Sequence, residues 1–364
     1  MSKRIIIAGG GTGGHIFPAI AIAQALKMKL PEADFLFVGA KGKMEMEKVP
    51  QAGFNIEGLD IAGFNRSSLI KNIGLPFKLL KSFLQVQRIL GRYKPDAVIG
   101  VGGYSTYPVL RLAQMKGIPT FIHEANAFAG KTNKLLAKKA LKVFTGTDGM
   151  DSFFPKEKII VTGNPVRRSI IQHTIGKADA QKYFGLSSNL FTLLVVGGSL
   201  GALSINKAIA AGMDRLTQRN IQLIWQTGKP FAATAKALCA EKAHVWVNDF
   251  ITDMDKAYAA ADLVVSRAGA MSVAEICLVA KPVIFVPYPH AAEDHQTSNA
   301  KHIVQRKGAV MLKDNEVAEK LIEEIIALSE NPLLRIEMEH SLKAMGVDDA
   351  DIRVADEIIK TIGS

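Results

Sequence analysis

The sequence has few cysteines and no long apolar run. Its 364 residues contain two cysteines, Cys239 and Cys277, which excludes a disulfide framework and a zinc site built from four thiolates. This usage is typical of a reducing compartment, so we expect a cytosolic protein. A stretch of 22 residues near the N-terminus, Ile5 to Leu26, lacks Asp, Glu, Lys and Arg. Five glycines and Pro18 interrupt it, so it is neither a signal sequence nor a membrane span.

The composition is that of a folded protein. Hydrophobic residues make up 48% of the chain and charged residues 22%, which excludes a disordered polymer. The length suits two ordinary domains.

The positive charge lies in the first half of the chain. Residues 1–163 hold 23 Lys plus Arg against 11 Asp plus Glu, a net +12, whereas residues 164–364 hold 22 against 23, a net −1. The stretch from Ile61 to Pro95 has seven basic side chains and no acid. We expect the first half to meet an anionic partner.

A helix predicted over residues 76–92 would gather much of this charge. At 100° per residue, one stripe of the helix holds Lys78, Lys81, Gln85, Arg88 and Arg92. An apolar stripe on the other side holds Leu79, Phe83, Val86 and Leu90, and the basic stripe is flanked by Phe77, Leu80 and Leu84. The pattern fits either a solvated surface helix or a surface for anionic lipid. The absence of an aromatic-rich basic motif argues against nucleic acid.

Two glycine loops divide the chain into similar halves. An apolar run at 4–8 is followed by Gly9-Gly10-Gly11-Thr12-Gly13-Gly14-His15 and a helical pattern that begins at Pro18, a residue suited to a first helical turn. A second run at 191–196 is followed by Gly197-Gly198-Ser199-Leu200-Gly201-Ala202 and another helical pattern. Each half thus begins with its own strand, glycine turn and helix.

Short apolar runs alternate with helical segments in both halves. The further runs lie at 35–38, 97–99, 120–122, 143–144, 159–161, 222–225, 245–247, 263–265 and 283–286. Such alternation is typical of parallel sheets covered on both faces. We therefore predict an α/β protein of two doubly wound, Rossmann-like domains facing a cleft, with the boundary at Gly163-Asn164-Pro165 and a ligand at the carboxyl ends of the strands.

The first loop matches the dinucleotide pattern G-x-G-x-x-G at Gly9, Gly11 and Gly14. A dinucleotide site also needs an acid at the end of the second strand, and that strand ends Val38-Gly39-Ala40-Lys41. A dehydrogenase is therefore disfavoured. Glycine loops at helix starts still favour an oxygen-rich anion, because their N–H groups can approach phosphate closely.

A series of motifs in chain order carries a resemblance that covers nearly the whole sequence. The motifs are Gly10 to His15 with Pro18, Gly100 to Tyr104 with Pro108, His123 to Asn126, Thr162 to Arg167, Gly197 to Ala202, Ser266 to Ala270 with Glu275, and Asp294-His295-Gln296 before Asn299-Ala300. Together they resemble the peptidoglycan-synthesising members of glycosyltransferase family 28.

The resemblance implies an enzyme with the two-domain glycosyltransferase B architecture. It would transfer N-acetylglucosamine from UDP-N-acetylglucosamine to the muramoyl 4-hydroxyl of lipid I with inversion, giving lipid II and UDP. Residues 1–163, joined by a C-terminal helix within 343–364, would bind lipid I and the membrane, and residues 164–342 would bind the donor. The enzyme would be peripheral on the cytoplasmic face of the bacterial membrane, with other cell-wall synthesis proteins as possible partners.

The resemblance also assigns donor-binding residues. Ser199 and Arg167 would contact phosphate, the Ile251 backbone would pair with uracil, and Glu275 would accept the ribose hydroxyls. Further donor contacts would come from Thr12, Gly13, Gly14, Asn126, Ala270, Met271, Ser272, Val273, Ala274 and Gln296.

The acceptor side has its own predicted residues. Gly13 and Gly14, with the loop Gly102-Gly103-Tyr104, would cradle the acceptor diphosphate. His15 is the first candidate for the base because an imidazole titrates near neutral pH. Glu124 is the second candidate and could instead orient His15.

No cofactor and no dedicated metal are expected. The cluster His290, Glu293, Asp294 and His295 lacks the spacing of a helical ligand pair, and the Asp253-Met254-Asp255 pattern lies beside the predicted uracil loop. The acceptor loop departs from the family pattern at Thr106 and Tyr107, where a serine and a small residue are usual.

Two other functions stay open from sequence alone. A different UDP-sugar transferase or a UDP-N-acetylglucosamine 2-epimerase would share the donor pocket, and a non-catalytic sugar-nucleotide-binding protein would bind without turnover. UDP release that depends on lipid I distinguishes them.

Overall fold

A computed structural model describes residues 2–62, 74–172, 174–198, 200–291 and 294–363. The chain divides into two compact units. Unit 1 comprises Met1–Arg167 and Asp349–Ser364, and unit 2 comprises Arg168–Asp348.

Unit 1 is built on a parallel sheet of seven strands. Their bounds are β1 Arg4–Ala8, β2 Asp34–Ala40, β3 Asn55–Leu59, β4 Ala97–Gly100, β5 Thr120–Glu124, β6 Lys142–Thr145 and β7 Ile159–Val161. The order across the sheet is β3-β2-β1-β4-β5-β6-β7. The central strands are apolar on both faces because helices cover both.

Six helices of unit 1 complete that core. They are α1 Gly13–Lys29, α2 Glu45–Gln51, α3 Leu75–Tyr93, α4 Thr106–Met115, α5 Lys131–Ala137 and the C-terminal α15 Ala350–Ile362. Helix α15 packs against α1. Its Val354 and Ile358 are fully buried in one apolar cluster with Ile16 and Leu26, and Lys29 of α1 pairs with Asp356 at 2.6 Å. The last helix of the chain thus belongs to the first unit.

Unit 2 repeats the arrangement with six parallel strands. The strands are β8 Phe191–Val196, β9 Ile221–Gln226, β10 Val245–Asn248, β11 Leu263–Ser266, β12 Val283–Phe285 and β13 Ala309–Met311. The helices are α6 Arg168–Ile171, α7 Lys177–Tyr183, α8 Leu203–Gln218, α9 Lys229–Cys239, α10 Met254–Ala260, α11 Ala270–Val279, α12 His295–Gln305, α13 Val317–Glu330 and α14 Pro332–Met345. The strand order is β10-β9-β8-β11-β12-β13.

Both sheets follow the Rossmann order 3-2-1-4-5-6, which confirms the predicted fold class. The order reverses between β1 and β4 in unit 1 and between β8 and β11 in unit 2. The loops that follow these two central strands run in opposite directions from this point. Such switch points are where α/β proteins bind ligands.

The unit boundaries differ from the expected positions. Residues 164–167, expected in the second domain, belong to unit 1, where the Asn164 amide donates to the carbonyl of Ala125 at 3.0 Å. Residues 343–348, expected with the first domain, belong to unit 2, because α14 continues to Met345 and packs on α11.

The first helix also begins earlier than predicted. It starts at Gly13, and Pro18 lies inside it rather than in its first turn. The N–H groups of His15 and Ile16 both donate to the carbonyl of Thr12. Gly13 and Gly14 are therefore first-turn residues, whose N–H groups point out of the helix end.

Candidate active site

The switch point of unit 1 brings two glycine-rich loops into backbone contact. The N–H of Gly10 donates to the carbonyl of Gly102 at 3.3 Å. Gly103 has φ +92°, and a Cβ there would collide with the backbone of Gly10. The Tyr104 ring lies near Gly11, half exposed. The predicted acceptor residues of both loops therefore share one edge of the sheet.

His15 lies between these two loops. Its Nδ1 is 3.1 Å from the carbonyl oxygen of Gly10 and 3.3 Å from the Thr12 hydroxyl. Its ring covers Gly102, where a Cβ would be 2.8 Å from Nε2. A carbonyl oxygen can only accept, so the Gly10 contact places the proton of the neutral ring on Nδ1. The lone pair is then on Nε2.

Glu45 is a residue of this site that the sequence reasoning missed. It is the first residue of α2 and is fully buried. Its Oε2 accepts from the N–H of Gly11 and its Oε1 from the N–H of Ala40, both at 2.9 Å. A dinucleotide site would have an acid at the end of β2. The acid found after that strand is Glu45, five residues beyond Ala40, and its carboxylate contacts the first glycine loop.

Glu124 organises the loop that follows β5. Each of its carboxylate oxygens accepts two N–H bonds. The donors are the backbone and side-chain amides of Asn126, the backbone of Gly130 and the side chain of Asn133, at 2.9 to 3.2 Å. The carboxylate is engaged by its own loop, and it fixes the predicted donor contact Asn126 in place.

His123, the neighbour of Glu124, is fully buried in β5. Burial, with a smaller contribution from His15, lowers its pKa from the ordinary 6.5 to about 4, although a backbone contact to Gly163 opposes the shift. The ring of His123 is therefore neutral at pH 7.

The two departures in the acceptor loop have separate structural roles. The Thr106 hydroxyl is buried and donates toward the carbonyls of Ala8 and Gly102, at 3.1 and 2.8 Å. The Tyr107 ring packs edge-on against Phe83 of α3, with ring centroids 6.1 Å apart. Thr106 thus ties the loop to β1, and Tyr107 packs onto a helix.

Arg167 lies with the first loop. Its guanidinium is 4.6 Å from the centroid of the Phe17 ring, and a Cβ at Gly13 would be 3.1 Å from that ring. The cation predicted to meet phosphate therefore stands beside the start of α1.

In unit 2, a glutamine joins the second glycine loop to the predicted uracil loop. Gln226 donates to the carbonyl of Gly198 at 3.0 Å and accepts from the N–H of Ile251 at 2.9 Å. Gly201 has φ +76°, and a Cβ there would collide with the carbonyl of Thr227. Ser199 lies outside the described residues.

The predicted ribose and phosphate residues lie on α11. The helix begins at Ala270, so residues 270–273 form its first turn, and its N-cap is Gly269, which has no side chain to block an approaching anion. Met271, Ser272, Val273 and Ala274 follow. Glu275 is buried and accepts from the Tyr258 hydroxyl at 3.1 Å.

Arg267 links several segments at the edge of the unit 2 sheet through hydrogen bonds. The sequence reasoning did not assign it this role. Its guanidinium donates to Asp314 at 2.6 Å and to Ser204 at 3.1 Å. It also donates to the carbonyls of Val286 and Pro287, both at 3.1 Å. One side chain therefore joins the end of β11 to the segment after β12 and to the start of α8.

Gln296 and Asp253 each accept a hydrogen bond from a tyrosine of unit 2. The Gln296 side chain accepts from the N–H of Tyr288 at 2.9 Å. Asp253 accepts from the Tyr183 hydroxyl at 2.8 Å. Glu293 lies outside the described residues. Within the described ranges, no three His, Cys, Asp or Glu side chains are grouped so that they could hold a metal ion.

Helix α3 carries two kinds of basic residue. Lys81 pairs with Asp60 at 2.9 Å and Arg92 pairs with Glu57. Lys41 and Lys81 lower the pKa of Asp60 to about 2. In the part of the chain that the structure describes, no acid pairs with Lys78 or Arg88.

Apolar side chains accompany this charge. Phe77, Leu80 and Leu84 of α3 are 76%, 62% and 53% exposed. No helix among the described residues has the length and apolar character needed to cross a bilayer.

Comparison with known proteins places both halves of the chain in one family. Residues 5–145 match the glycosyltransferase family 28 N-terminal domain and residues 192–354 match its C-terminal domain. A Phocaeicola vulgatus protein named UDP-N-acetylglucosamine--N-acetylmuramyl-(pentapeptide) pyrophosphoryl-undecaprenol N-acetylglucosamine transferase is 48% identical over 98% of this chain and 96% of its own length.

Solved structures agree with the fold. The crystal structure of Acinetobacter baumannii MurG is similar with a TM-score of 0.76 and 30% identity, covering 98% of this chain and 99% of that one. A UDP-N-acetylglucosamine 2-epimerase is similar in fold alone, with a TM-score of 0.70 and 15% identity over 99% of this chain and 96% of that one. This chain belongs to glycosyltransferase family 28.

Proposed function

We propose that the protein transfers N-acetylglucosamine from UDP-N-acetylglucosamine to the muramoyl 4-hydroxyl of lipid I, which gives lipid II and UDP for peptidoglycan synthesis. The observation that carries this proposal is the relative from Phocaeicola vulgatus, whose name describes this transfer and which matches this chain almost from end to end. Unit 1 would bind the acceptor and unit 2 the donor.

His15 would act as the base. The muramoyl 4-hydroxyl attacks the anomeric carbon, the bond from that carbon to UDP breaks, and the hydroxyl proton passes to Nε2. UDP leaves with the electron pair of that bond. The configuration inverts because the hydroxyl would attack the face of the anomeric carbon opposite UDP. His15 suits this role better than Glu124, because the oxygens of Glu124 already accept four N–H bonds from its own loop.

Unit 2 would hold the donor at the ends of β8, β10 and β11. The first turn of α11 and the second glycine loop offer N–H groups to the diphosphate. Glu275 would accept the ribose hydroxyls. The N–H of Ile251 is engaged by Gln226, so its carbonyl is the group that would meet the uracil edge. Arg167, Asn126 and Gln296 remain proposed donor contacts.

The acceptor diphosphate would lie at the switch point of unit 1. Gly13 and Gly14 supply first-turn N–H groups, and the loop Gly102-Gly103-Tyr104 packs beside them. Gly13 and Gly14 carry no side chains of their own, which favours close approach of a phosphate to their N–H groups.

Transfer to lipid I is tested by following UDP release with a short-chain lipid I analogue. We expect release to require both the donor and the analogue. Release without any acceptor would instead favour the 2-epimerase reaction, and donor binding without release would favour a non-catalytic protein.

The exposed face of α3 would contact anionic lipid. It combines apolar side chains, which can enter the membrane interface, with cations, which attract lipid phosphate. Each cation contributes about 1 kcal/mol of binding free energy near an anionic surface. On this proposal the protein would be a peripheral enzyme on the inner face of the membrane.

The membrane proposal is tested by co-sedimentation with vesicles of phosphatidylglycerol and phosphatidylcholine. Replacing Lys78 and Arg88 by Ala should weaken binding about tenfold or more and leave the affinity for UDP-N-acetylglucosamine unchanged. The matched variant replaces Lys81 and Arg92, whose charges are already paired with Asp60 and Glu57, and should lose less. Unaltered sedimentation of both variants would make α3 a solvated surface helix.

A further inference from the structure

One peptide group of the first glycine loop is held from both sides. The bond between Gly10 and Gly11 contributes the carbonyl of Gly10 and the N–H of Gly11. The carbonyl accepts from Nδ1 of His15 at 3.1 Å, and the N–H donates to Oε2 of Glu45 at 2.9 Å. A buried carboxylate and the proposed base are therefore joined through a single planar, polarisable unit.

The position of Glu45 is closely defined. A Cβ at Gly10 would collide with its carboxylate, and a Cβ at Gly39 would lie 2.5 Å from its Cγ. Both oxygens accept N–H bonds, as an ionised carboxylate does. Among the described residues no cation pairs with it. Burying such a charge costs stability unless other interactions compensate, so a residue of this kind needs a reason beyond packing.

We propose that Glu45 is a positioning residue that acts on His15 through the peptide between Gly10 and Gly11. This rests on the proposed role of His15 as base. Hydrogen bonds in a chain polarise one another, so the carboxylate on the N–H makes the Gly10 carbonyl a stronger acceptor. A stronger acceptor fixes the ring orientation and favours the proton on Nδ1, which keeps the lone pair on Nε2.

The arrangement resembles the logic of a Ser-His-Asp triad, in which a carboxylate holds the histidine tautomer directly. Here a peptide group stands between the acid and the imidazole. The acid is thereby kept away from the substrate, where its negative charge would repel a diphosphate.

The tautomer of His15 can be measured without any substrate. In protein labelled with ¹⁵N-histidine, the His15 ring signals are identified by their loss in His15→Ala. We expect the Nδ1–H form in the wild type and a mixture of tautomers in Glu45→Gln. The matched control, Glu47→Gln, removes an acid whose side chain is 65% exposed on the same helix and should leave the signals unchanged.

Activity gives a second, independent measurement. Glu45→Gln should lower kcat roughly 10- to 100-fold, with the KM for UDP-N-acetylglucosamine changed less than about twofold. In a His15→Ala background the same substitution should cost less than about twofold, because the two residues act in one chain. A purely structural role would lower the melting temperature and reduce activity equally in both backgrounds.

Two results would overturn the proposal. One is the Nε2–H tautomer in the wild type, which decides the matter even if Glu45→Gln fails to fold. The other is a double variant whose kcat falls by the product of the two single-variant losses. A protein with the expected tautomer but no transfer to lipid I would refute the proposed function and leave the coupling between Glu45 and His15 intact.

Discussion

The two glycine loops follow equivalent strands of equivalent sheets, yet their surroundings differ. The first loop rests on a buried carboxylate, Glu45, and presents an imidazole. The second is held by a neutral amide, Gln226, and the loops around it are joined by a cation, Arg267. The same local motif is therefore supported by a carboxylate in unit 1 and by a neutral amide, with a cation in the neighbouring segments, in unit 2.

This difference teaches that a glycine loop alone does not define a ligand. A cation and N–H groups around the second loop suit the diphosphate of a soluble nucleotide. A buried anion behind the first loop makes Gly11 unavailable to phosphate and suits the support of a base. The proposed division between donor and acceptor chemistry follows from these supports rather than from the glycines.

Removing the imidazole should give the largest effect. His15→Ala should lower kcat by about 10²- to 10⁴-fold, as expected for loss of a general base, with donor binding by calorimetry unchanged. His340→Ala, which removes an exposed histidine of α14, is the control. Transfer near the wild-type rate would mean that the first loop does not carry the base.

Acid should weaken unit 1 through His123. Its folded pKa of about 4 lies below the ordinary 6.5, so the unfolded state binds the extra proton between these values. The stability from this group is therefore fully present above pH 6.5 and falls by a few kcal/mol as the pH drops toward 4.

His123→Asn should remove that part of the pH dependence. Hydrogen exchange of the buried β1 amides reports unit 1. Both tryptophans, Trp225 and Trp246, lie in unit 2, so their fluorescence follows the other unit as an internal reference. Equal pH dependence of unit 1 in wild type and variant would contradict the assignment.

The affinity for UDP-N-acetylglucosamine should depend on the guanidinium of Arg267 and not only on its charge. Arg267→Lys keeps the charge but loses the fork that reaches Asp314, Ser204 and two carbonyls at once. We expect UDP-N-acetylglucosamine to bind about tenfold more weakly, since loops set by several contacts lose preorganisation, with a smaller change in kcat. Arg306→Lys, at the exposed residue that follows α12, is the control. A loss of kcat without loss of affinity would break the contrast between the loops.

Sequence patterns predicted the central strands, both loops and one edge strand of each sheet, but not the strand at the other edge. The strands missed are β3 and β13, which lie at one edge of each sheet. Strand β3 is only partly buried and contains Glu57 and Gly58, so it lacks the apolar run that marks a central strand. Strand β13 is apolar but has only three residues, and the sequence reasoning did not assign it.

The residues that support the site could not be predicted from local sequence patterns, because their partners are distant in the sequence. Glu45 meets Gly11 across 34 positions of sequence, and Arg267 meets Asp314 across 47. The acid-free stretch from Ile61 to Pro95 also suggested more uncompensated charge on α3 than exists. The pairing acids lie just before that stretch, Glu57 in β3 and Asp60 directly after it. Such contacts depend on the tertiary fold.

The return of α15 to unit 1 has a consequence for biosynthesis. Unit 2 is one continuous segment, whereas the core of unit 1 is completed only by Val354, Ala355 and Ile358. Because a chain emerges from the ribosome N-terminus first, the domain made first must wait for its last helix. Unit 2, which is made second, can fold before unit 1 is complete. A nascent chain stopped before residue 349 would leave the apolar face of α1 exposed to chaperones.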